Sequence, residues 1–468
     1  MSHSPPRRSH DPIHALRAHF AQPGGAAFAD LLPAARVEAA LREEGATWRH
    51  RVYTPAVTLW AFLAQVADPD RSCRAAVARV LAGLAAAGRR PARPATGAYC
   101  KARARLPEGL PRRLARDAGR DLHRAAADGW RWRGRRVKVA DGTTVSMPDT
   151  RANQRAYPQP NNQKPGLGFP VARVVAVFCL ATGAVLDAAL GRGPGKQTGE
   201  AALLRDLAGG FDPGDVVLAD RLYGSFYDLA GWVARGVDVV VRLHQARRPD
   251  FRTGRRLGPK DHVVTWRRPD RPGWVDDATL ATMPRSLTVR EVAVRVSQRG
   301  FRTRGFVVVT TLIDAARYPA AAVADLYRAR WNAELDLRSL KCTLGVDVLR
   351  CRTPAMVRKE FWMHVLAYNL VRGVAARAAH ATGAEPREVS FAGTLQAVRA
   401  FAGRLAAADA AEAAGLHERL LEVVGAQRVG DRPDRVEPRA RKRRPKHGAL
   451  LTKPRQQARA ELLKGVRT

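Results

Sequence analysis

From Arg135 to Leu243 the hydropathy period switches repeatedly between two and about 3.6 residues, and that alternation limits the fold more than anything else in the chain. RRVKVADGTTVSM (135–147) alternates as a strand does, and the pattern predicts a strand ending at Asp141. VARVVAVFCL (171–180) and GAVLDAAL (183–190) read as two more strands, separated by the turn signal Thr182-Gly183. A helical stretch from about Gln197 to Leu207 comes next. After it come a buried strand DVVLAD (215–220), a helix from about Phe226 to Arg235, and a strand VDVVVRL (237–243). Three strands, helix, strand, helix, strand describe an α/β chain, a mixed sheet with helices packed on it.

Residues from about 244 to 305 interrupt that order. They are rich in Arg, Pro and Gly, and pieces such as HVVTW and TVREVAVRVS look like antiparallel strands, so a β-rich insertion is expected. The first 130 residues read as helices: PAARVEAALREEG and RAAVARVLAGLAAAG place apolar residues at three- and four-residue steps, broken by GGAA, ADPDRS and AGRRPARPATG. Helix returns in PAAAVADLYRARWNAELDLRSLKCTLG, continues through FWMHVLAYNLVRGVAARAA, and ends near Val429. The expected order is a helical unit (1–130), an α/β domain (131–375) carrying the insertion, a C-terminal helical region (376–430) and a tail (431–468). There is no internal repeat.

Charge points to the partner. The 468 residues hold 80 Lys and Arg against 43 Asp and Glu, a formal net charge of +37, and 69 of the basic residues are Arg. GC-rich coding DNA contributes to such Arg and Ala richness, but an excess this large repels itself unless a polyanion is the working partner. Nucleic acid comes first and an anionic membrane surface second. A solvated face explains the arginines of the N-terminal helices as well as DNA contact does. Hydrophobic residues make up 46% of the chain, enough for real cores, which excludes wholesale disorder. The longest apolar run, Val174 to Leu186, is shorter than the roughly 18 residues of a membrane span and is broken by Gly183. MSHSPPRRSHDPIH lacks the apolar core of a signal peptide. Cys73, Cys100, Cys179, Cys342 and Cys351 are scattered without a CxxC pair, so neither a disulfide framework nor a zinc site is expected. A reducing, cytoplasmic and nucleoid-associated location follows as the expectation.

Three carboxylates stand out by position. Asp141 ends the first expected strand, Asp220 ends the fourth, and Glu334 lies on the long helix after the insertion. Strand ends are where an α/β sheet presents side chains to a ligand. Three such oxygen donors would hold two Mg²⁺ ions, hard cations suited to phosphoryl transfer. An Asp after a strand is also commonly a cap or turn residue, and position alone leaves both readings open. Tyr327, Arg330, Glu334 and Lys341 fall at steps of three, four and seven, which on an unbroken helix puts all four on one face. A phenol, a guanidinium and an ammonium around a carboxylate suit a metal-bound phosphodiester. An ordinary i,i+4 Arg–Glu pair explains two of the four.

YRARWNAELDLRSLK, with DGT after Asp141's strand and ADR at Asp220, resembles the DDE transposases of the insertion sequence four family. Their signature on this helix is Tyr, two residues, Arg, three residues, Glu, six residues, Lys. The resemblance spans about residues 136 to 375. It implies a ribonuclease-H-like fold with Asp141, Asp220 and Glu334 as the metal ligands, and two Mg²⁺ ions for which Mn²⁺ substitutes. It implies phosphate-contacting roles for Tyr327, Arg330 and Lys341, and it makes the segment at about 244–305 the family's β-rich insertion domain. Family members place a tryptophan there beside a flipped base; Trp266 and Trp274 are the candidates, with core plugging the alternative for either. The implied partners are double-stranded DNA, as the inverted-repeat ends of an element and as target, and a second copy of the chain on that DNA. The implied chemistry is cut-and-paste transposition: water cuts the 3′ strand at each end, and the freed 3′-hydroxyl attacks DNA, by way of a hairpin in some members.

Arg221 can face substrate phosphate or cap the following turn. Glu200, just before the core helix, suits the helix dipole, and a supporting role beside the ligands is open to it. Asp187 and Asp149 read as structural. The twelve histidines form no HxH or HExxH pattern, and GRGPGKQTGE lacks P-loop spacing. Two other functions fit parts of the pattern. A transposase-derived DNA-binding protein without catalysis would have no use for three intact ligands, and a ribonuclease-H-like nuclease without strand transfer would share the site. The tail has 13 basic and 3 acidic residues from Arg432 onward and little apolar pattern, so it reads as a flexible polyanion-binding segment. Deleting residues 432–468 should weaken non-specific DNA binding and flatten its dependence on salt; an unchanged salt slope would take the tail off the DNA.

Overall fold

The computed structural model describes residues 28, 31–47, 52–86, 88, 93–193, 198–295, 305–430 and 450–465. They group into two compact units. One is mostly helical (1–126, 338–346 and 355–429) and the other is built on a sheet (127–337, 347–354 and 430–468).

In the helical unit the first two expected amphipathic segments form the helices Ala34–Glu43 and Cys73–Ala86. Between them, Pro55–Ala67 starts where a helix should. Thr54 Oγ1 accepts the Val57 N–H, and Pro55 occupies the first turn, where its missing N–H costs nothing. Gly97–Arg105 and Gly109–Arg124 complete the N-terminal set. ADPDRS does break the chain between two helices, whereas GGAA and residues 89–92 lie outside the described residues. The 28-residue helix Pro354–Ala381 belongs with this set: Asn369 donates to the Ala115 carbonyl (2.8 Å), Lys359 to that of Ala104 (2.8 Å), and Arg358 pairs with Glu108 (2.8 Å). The boundary expected at 375 therefore falls inside a continuous helix.

The sheet unit has nine strands among the described residues: β1 (Val137–Ser146), β2 (Val171–Cys179), β3 (Val185–Arg192), β4 (Val216–Ala219), β5 (Asp238–Arg242), β6 (Arg255–Gly258), β7 (Asp261–Arg267), β8 (Ser286–Arg295) and β9 (Gly305–Thr310). Their order is β3-β2-β1-β4-β5-β9-β8-β7-β6. β1, β2 and β3 pair antiparallel, whereas β4 runs parallel to β1 and β5 parallel to β4. The helices Glu200–Asp206 and Phe226–Ala234 pack on one face, where Leu203, Leu204, Phe226 and Leu229 meet Ala140, Val175, Val177, Val217 and Val239. Side chains alternate across a strand, so Val139 and Asp141 point to the opposite face from Ala140.

Two expectations change here. β1 does not end at Asp141 but runs five residues further, with Asp141 opposite Ala176 and Ser146 opposite Val171. Its parallel pairing with β4 stops at Val139 opposite Leu218; beyond that point its ladder partner is β2, joined at Ser146 by a bridge to Val348. The insertion also differs from a separate β-domain. β6, β7 and β8 continue the main sheet through β9, which pairs with β5 on one side and β8 on the other. Residues 296–304 of the insertion lie outside the described residues, as do 431–449 and 466–468 of the basic tail. Within that tail Arg455–Gly465 is helical.

The strands of the insertion are held by buried charge as well as by apolar packing. Arg290, fully buried, forks onto Asp261 (2.8 and 2.6 Å) and donates to the Tyr318 carbonyl (2.6 Å). Beside it, Glu291 bonds both His262 Nε2 (3.1 Å) and the Trp266 indole N–H (2.9 Å). Removing one partner of a buried pair leaves the other uncompensated, so Asp261→Ala should cost about 3–5 kcal/mol in chemical denaturation. A loss below about 1 kcal/mol would mean that solvent reaches Arg290.

Candidate active site

β4 ends at Ala219, and Asp220 is the next residue. It precedes the one-turn helix Arg221–Tyr223 but makes no capping hydrogen bond with its side chain. Its Oδ1 instead faces the Tyr327 hydroxyl at 3.4 Å. Asp141 projects from β1 just past the point where β4 stops alongside it. It too caps nothing: its Oδ1 accepts the Gly142 N–H (2.9 Å).

The third carboxylate comes from a helix that is not continuous. Ala320–Ala329 ends in a tight turn, with Arg330 N–H bonded to the Tyr327 carbonyl (3.2 Å), and Trp331–Arg338 begins anew. Ser339–Thr343 is then a π turn. The single face expected for four residues is therefore re-aimed twice. Tyr327, Arg330 and Glu334 still converge. Arg330 bonds Glu334 Oε1 at 3.0 Å and approaches Asp141 Oδ2 at 3.8 Å, so its role extends beyond an intrahelical pair. Lys341 lies on the π turn, in the segment 338–346 that groups with the helical unit. Arg221, half-buried, opens the one-turn helix after Asp220.

The local electrostatics are those of crowded negative charge. Burial pushes the Asp141 carboxyl up to about 6; the Gly142 N–H and Arg330 oppose this, while Glu334 and Glu200 reinforce it. Burial likewise raises the Tyr327 phenol to about 12, against the pull of Arg330, so it stays a hydrogen-bond donor at neutral pH. Tyr223 is raised further still, by burial and then by Glu200 and Asp141. Burial works against the charge on Arg330, but Tyr327, Asp141 and Asp220 more than offset it and raise its pKa.

Among the described residues no three ligand-type side chains are gathered tightly enough to grip an ion as they stand. The donor set fits a hard divalent cation nonetheless. Its members are carboxylates: Asp141 and Glu334 flank one guanidinium, Asp220 faces the Tyr327 hydroxyl, and burial raises the Asp141 carboxyl.

The two tryptophans of the insertion differ in their surroundings. Trp266 is buried, its N–H is held by Glu291, and the Arg247 guanidinium covers its ring at 3.9 Å. Trp274 is half-buried under Arg205, 3.7 Å from its ring. Among the described residues the exposed indole is that of Trp331, directly after Arg330 and 53% accessible, which the signature spacing passed over. Asp187 and Asp149 are structural: Asp187 is buried in β3 and accepts the Ala188 N–H, and Asp149 accepts from Gln154.

A family model described as Transposase DDE domain matches residues 132–370, just over half of the chain. Over 359 residues the chain is 27% identical to transposase InsG for insertion sequence element IS4 of Escherichia coli strain K12, covering 75% of this chain and 77% of that protein. It is 36% identical to a transposase for insertion sequence element IS421 of Escherichia coli over 67 residues, 14% of this chain and 18% of the other. Among solved structures, a piggyBac transposase synaptic complex with hairpin DNA aligns with 89% of this chain and 86% of that one, at 9% identity and a TM-score of 0.39.

A metal ion held by Asp141 would compete with protons for its raised carboxyl, which would set a pH window. Mn²⁺ affinity measured by calorimetry should level off above pH ~6 to 7 and fall up to about tenfold per unit below it. The metal-free protein, by the same linkage, loses stability as pH rises through about 6, because folding favours the protonated form of Asp141. Affinity that stays flat down to pH ~4 would return Asp141 to an ordinary carboxylate.

Proposed function

The chain belongs to the DDE transposases of the insertion sequence four family, and from that premise we propose that it carries out metal-dependent cut-and-paste transposition with Asp141, Asp220 and Glu334 as its metal ligands. The observation that carries the reading is the convergence of these carboxylates, from β1, the end of β4 and a helix more than a hundred residues later, on Arg330 and Tyr327. The strand order β3-β2-β1-β4-β5, antiparallel and then parallel, supports a ribonuclease-H-like core.

Each side chain then has a task. The three carboxylates would hold two Mg²⁺ ions, with Mn²⁺ as substitute. Those ions supply activation of a water or 3′-hydroxyl and stabilisation of the leaving oxygen. Arg330, once its carboxylate partners are engaged elsewhere, can turn its planar fork to phosphate oxygens. Tyr327 keeps its proton and donates it in a hydrogen bond, and Lys341 and Arg221 add positive charge along the backbone of the cleaved end. The substrate is double-stranded DNA, first as element ends and then as target. A net charge of +37 suits that partner, and pairing of two ends calls for two copies of the chain. Among the described residues no helix is long and apolar enough to cross a membrane.

Asp141→Asn, Asp220→Asn and Glu334→Gln should each abolish cleavage of an element end and strand transfer from a precut end, while end binding in a gel-shift assay stays within about twofold, because affinity comes mainly from phosphate contacts elsewhere. Lys341→Ala should loosen the cleaved-end complex yet leave Mn²⁺ binding unchanged. Near-normal cleavage by any carboxylate variant would break the ligand assignment. Cleavage without strand transfer by the unaltered protein would make it a nuclease, and binding without either would leave only a DNA-binding role.

A further inference from the structure

Arg71 has its backbone in the left-handed region, with φ 53°, which a residue bearing a side chain seldom adopts. It stands in the ADPDRS break between the helices Pro55–Ala67 and Cys73–Ala86. Its half-buried guanidinium reaches out of that break. It donates to the Gly345 carbonyl (2.6 Å) and to that of Leu344 (3.3 Å), 274 and 273 positions away. Gly345 is shaped to receive it: its φ is 73°, and a Cβ at that position would overlap the Arg71 guanidinium. Arg71 is also held from behind. Its carbonyl accepts from Gln65 Nε2 (2.9 Å), and Gln65 Oε1 accepts in turn from the Tyr99 hydroxyl (2.7 Å) and from Arg103 (3.2 Å).

Leu344 and Gly345 close the π turn Ser339–Thr343. The Leu344 N–H bonds the Ser339 carbonyl (3.2 Å), and the Val346 N–H bonds that of Leu340 (3.2 Å). Lys341 lies inside that closure, with buried Leu340 before it and buried Leu344 and Val346 after it. The last carbonyls of a helix commonly take a basic side chain from the helix's own final turn. Here the cation comes from a distant part of the chain, and a left-handed arginine is committed to the contact. Backbone strain of that kind persists only where its surroundings enforce it, and it gathers at functional sites. All these residues belong to the helical unit.

We propose that Arg71 is a positioning residue for transposition: it ties the π turn to the N-terminal helices and so fixes the backbone from which Lys341 reaches the phosphates of the cleaved end. The proposal rests on the phosphate-contacting reading of Lys341. Arg71 acts through protein carbonyls and not on DNA. With the π turn in place, Lys341 takes its position from the helical unit rather than from the helix that carries Glu334.

The test is a double-variant cycle read as affinity for a precut element end in a gel-shift assay, with full-length protein well below its melting temperature. Arg71→Ala should weaken that complex about threefold or more, and Arg71→Lys should recover part of the loss. Arg71→Ala combined with Lys341→Ala should bind no more weakly than Lys341→Ala alone. Gly345→Ala, which displaces the guanidinium without removing it, should mimic Arg71→Ala. Mn²⁺ affinity should be unchanged in all of them. A purely structural Arg71 would lower the melting temperature and leave end affinity untouched. Losses that add in the combined variant would make Arg71 act independently of Lys341 and would overturn the proposal. If Lys341→Ala weakens the complex and Arg71→Ala does not, the positioning role fails alone. If Lys341→Ala has no effect, the phosphate reading of Lys341 falls and the proposal with it.

Discussion

Mutual repulsion among carboxylates is the constraint on which the rest of this architecture depends. Asp141, Asp220, Glu334 and Glu200 come from β1, the end of β4 and two helices, and left to themselves they would separate. The sheet prevents it, because pairing of β1 with β2 and of β4 with β5 leaves Asp141 and Asp220 no freedom to retreat. Arg330 neutralises part of the charge. Burial, reinforced by the charges of Glu334 and Glu200, is why the Asp141 carboxyl is raised to about 6.

The insertion adds rigidity to the same frame. Because β9 pairs with β5 on one side and β8 on the other, the strands from β6 to β8 are extensions of the main sheet. Tyr327 packs against Phe306 of β9, with ring centroids 5.0 Å apart, so the signature helix rests on the strand that closes the insertion. The buried Arg290–Asp261 pair and the His262–Glu291–Trp266 set hold β7 to β8, and in doing so they commit Trp266 to the core. Half-buried Trp274 and exposed Trp331 keep some aromatic surface on the outside of the sheet unit.

Arginine serves both units in two opposite ways. Arg290 and Arg103 are buried inside the protein, Arg103 bonding Gln65 Oε1 at 3.2 Å with its guanidinium against the rings of Phe62 and Tyr99. Among the described residues most of the others face outward, and a net charge of +37 is tolerable only with polyanions at hand. Counting arginines therefore points to a partner but not to its binding surface.

Much of the site was legible in the chain. Asp141, Asp220, Tyr327, Arg330 and Glu334 were singled out by position and spacing alone, and the fold brings them near one another. The order of strands and helices was legible too, since period two and period 3.6 are local properties. What sequence could not carry is whatever depends on a neighbour distant in the chain. β1 outruns Asp141 because β2 offers partners that a local pattern does not contain. The insertion joins the sheet because β9 returns beside β5. The signature helix turns at Arg330 and loosens into a π turn at Ser339, each a matter of backbone hydrogen bonds and not of composition. The contact of Glu200 with Gly142 pairs two residues 58 positions apart, and only folding sets that distance. Sequence determined which groups are present and in what local order; tertiary structure decided which of them meet, because close approach of like charges is tolerated only where a packed sheet enforces it.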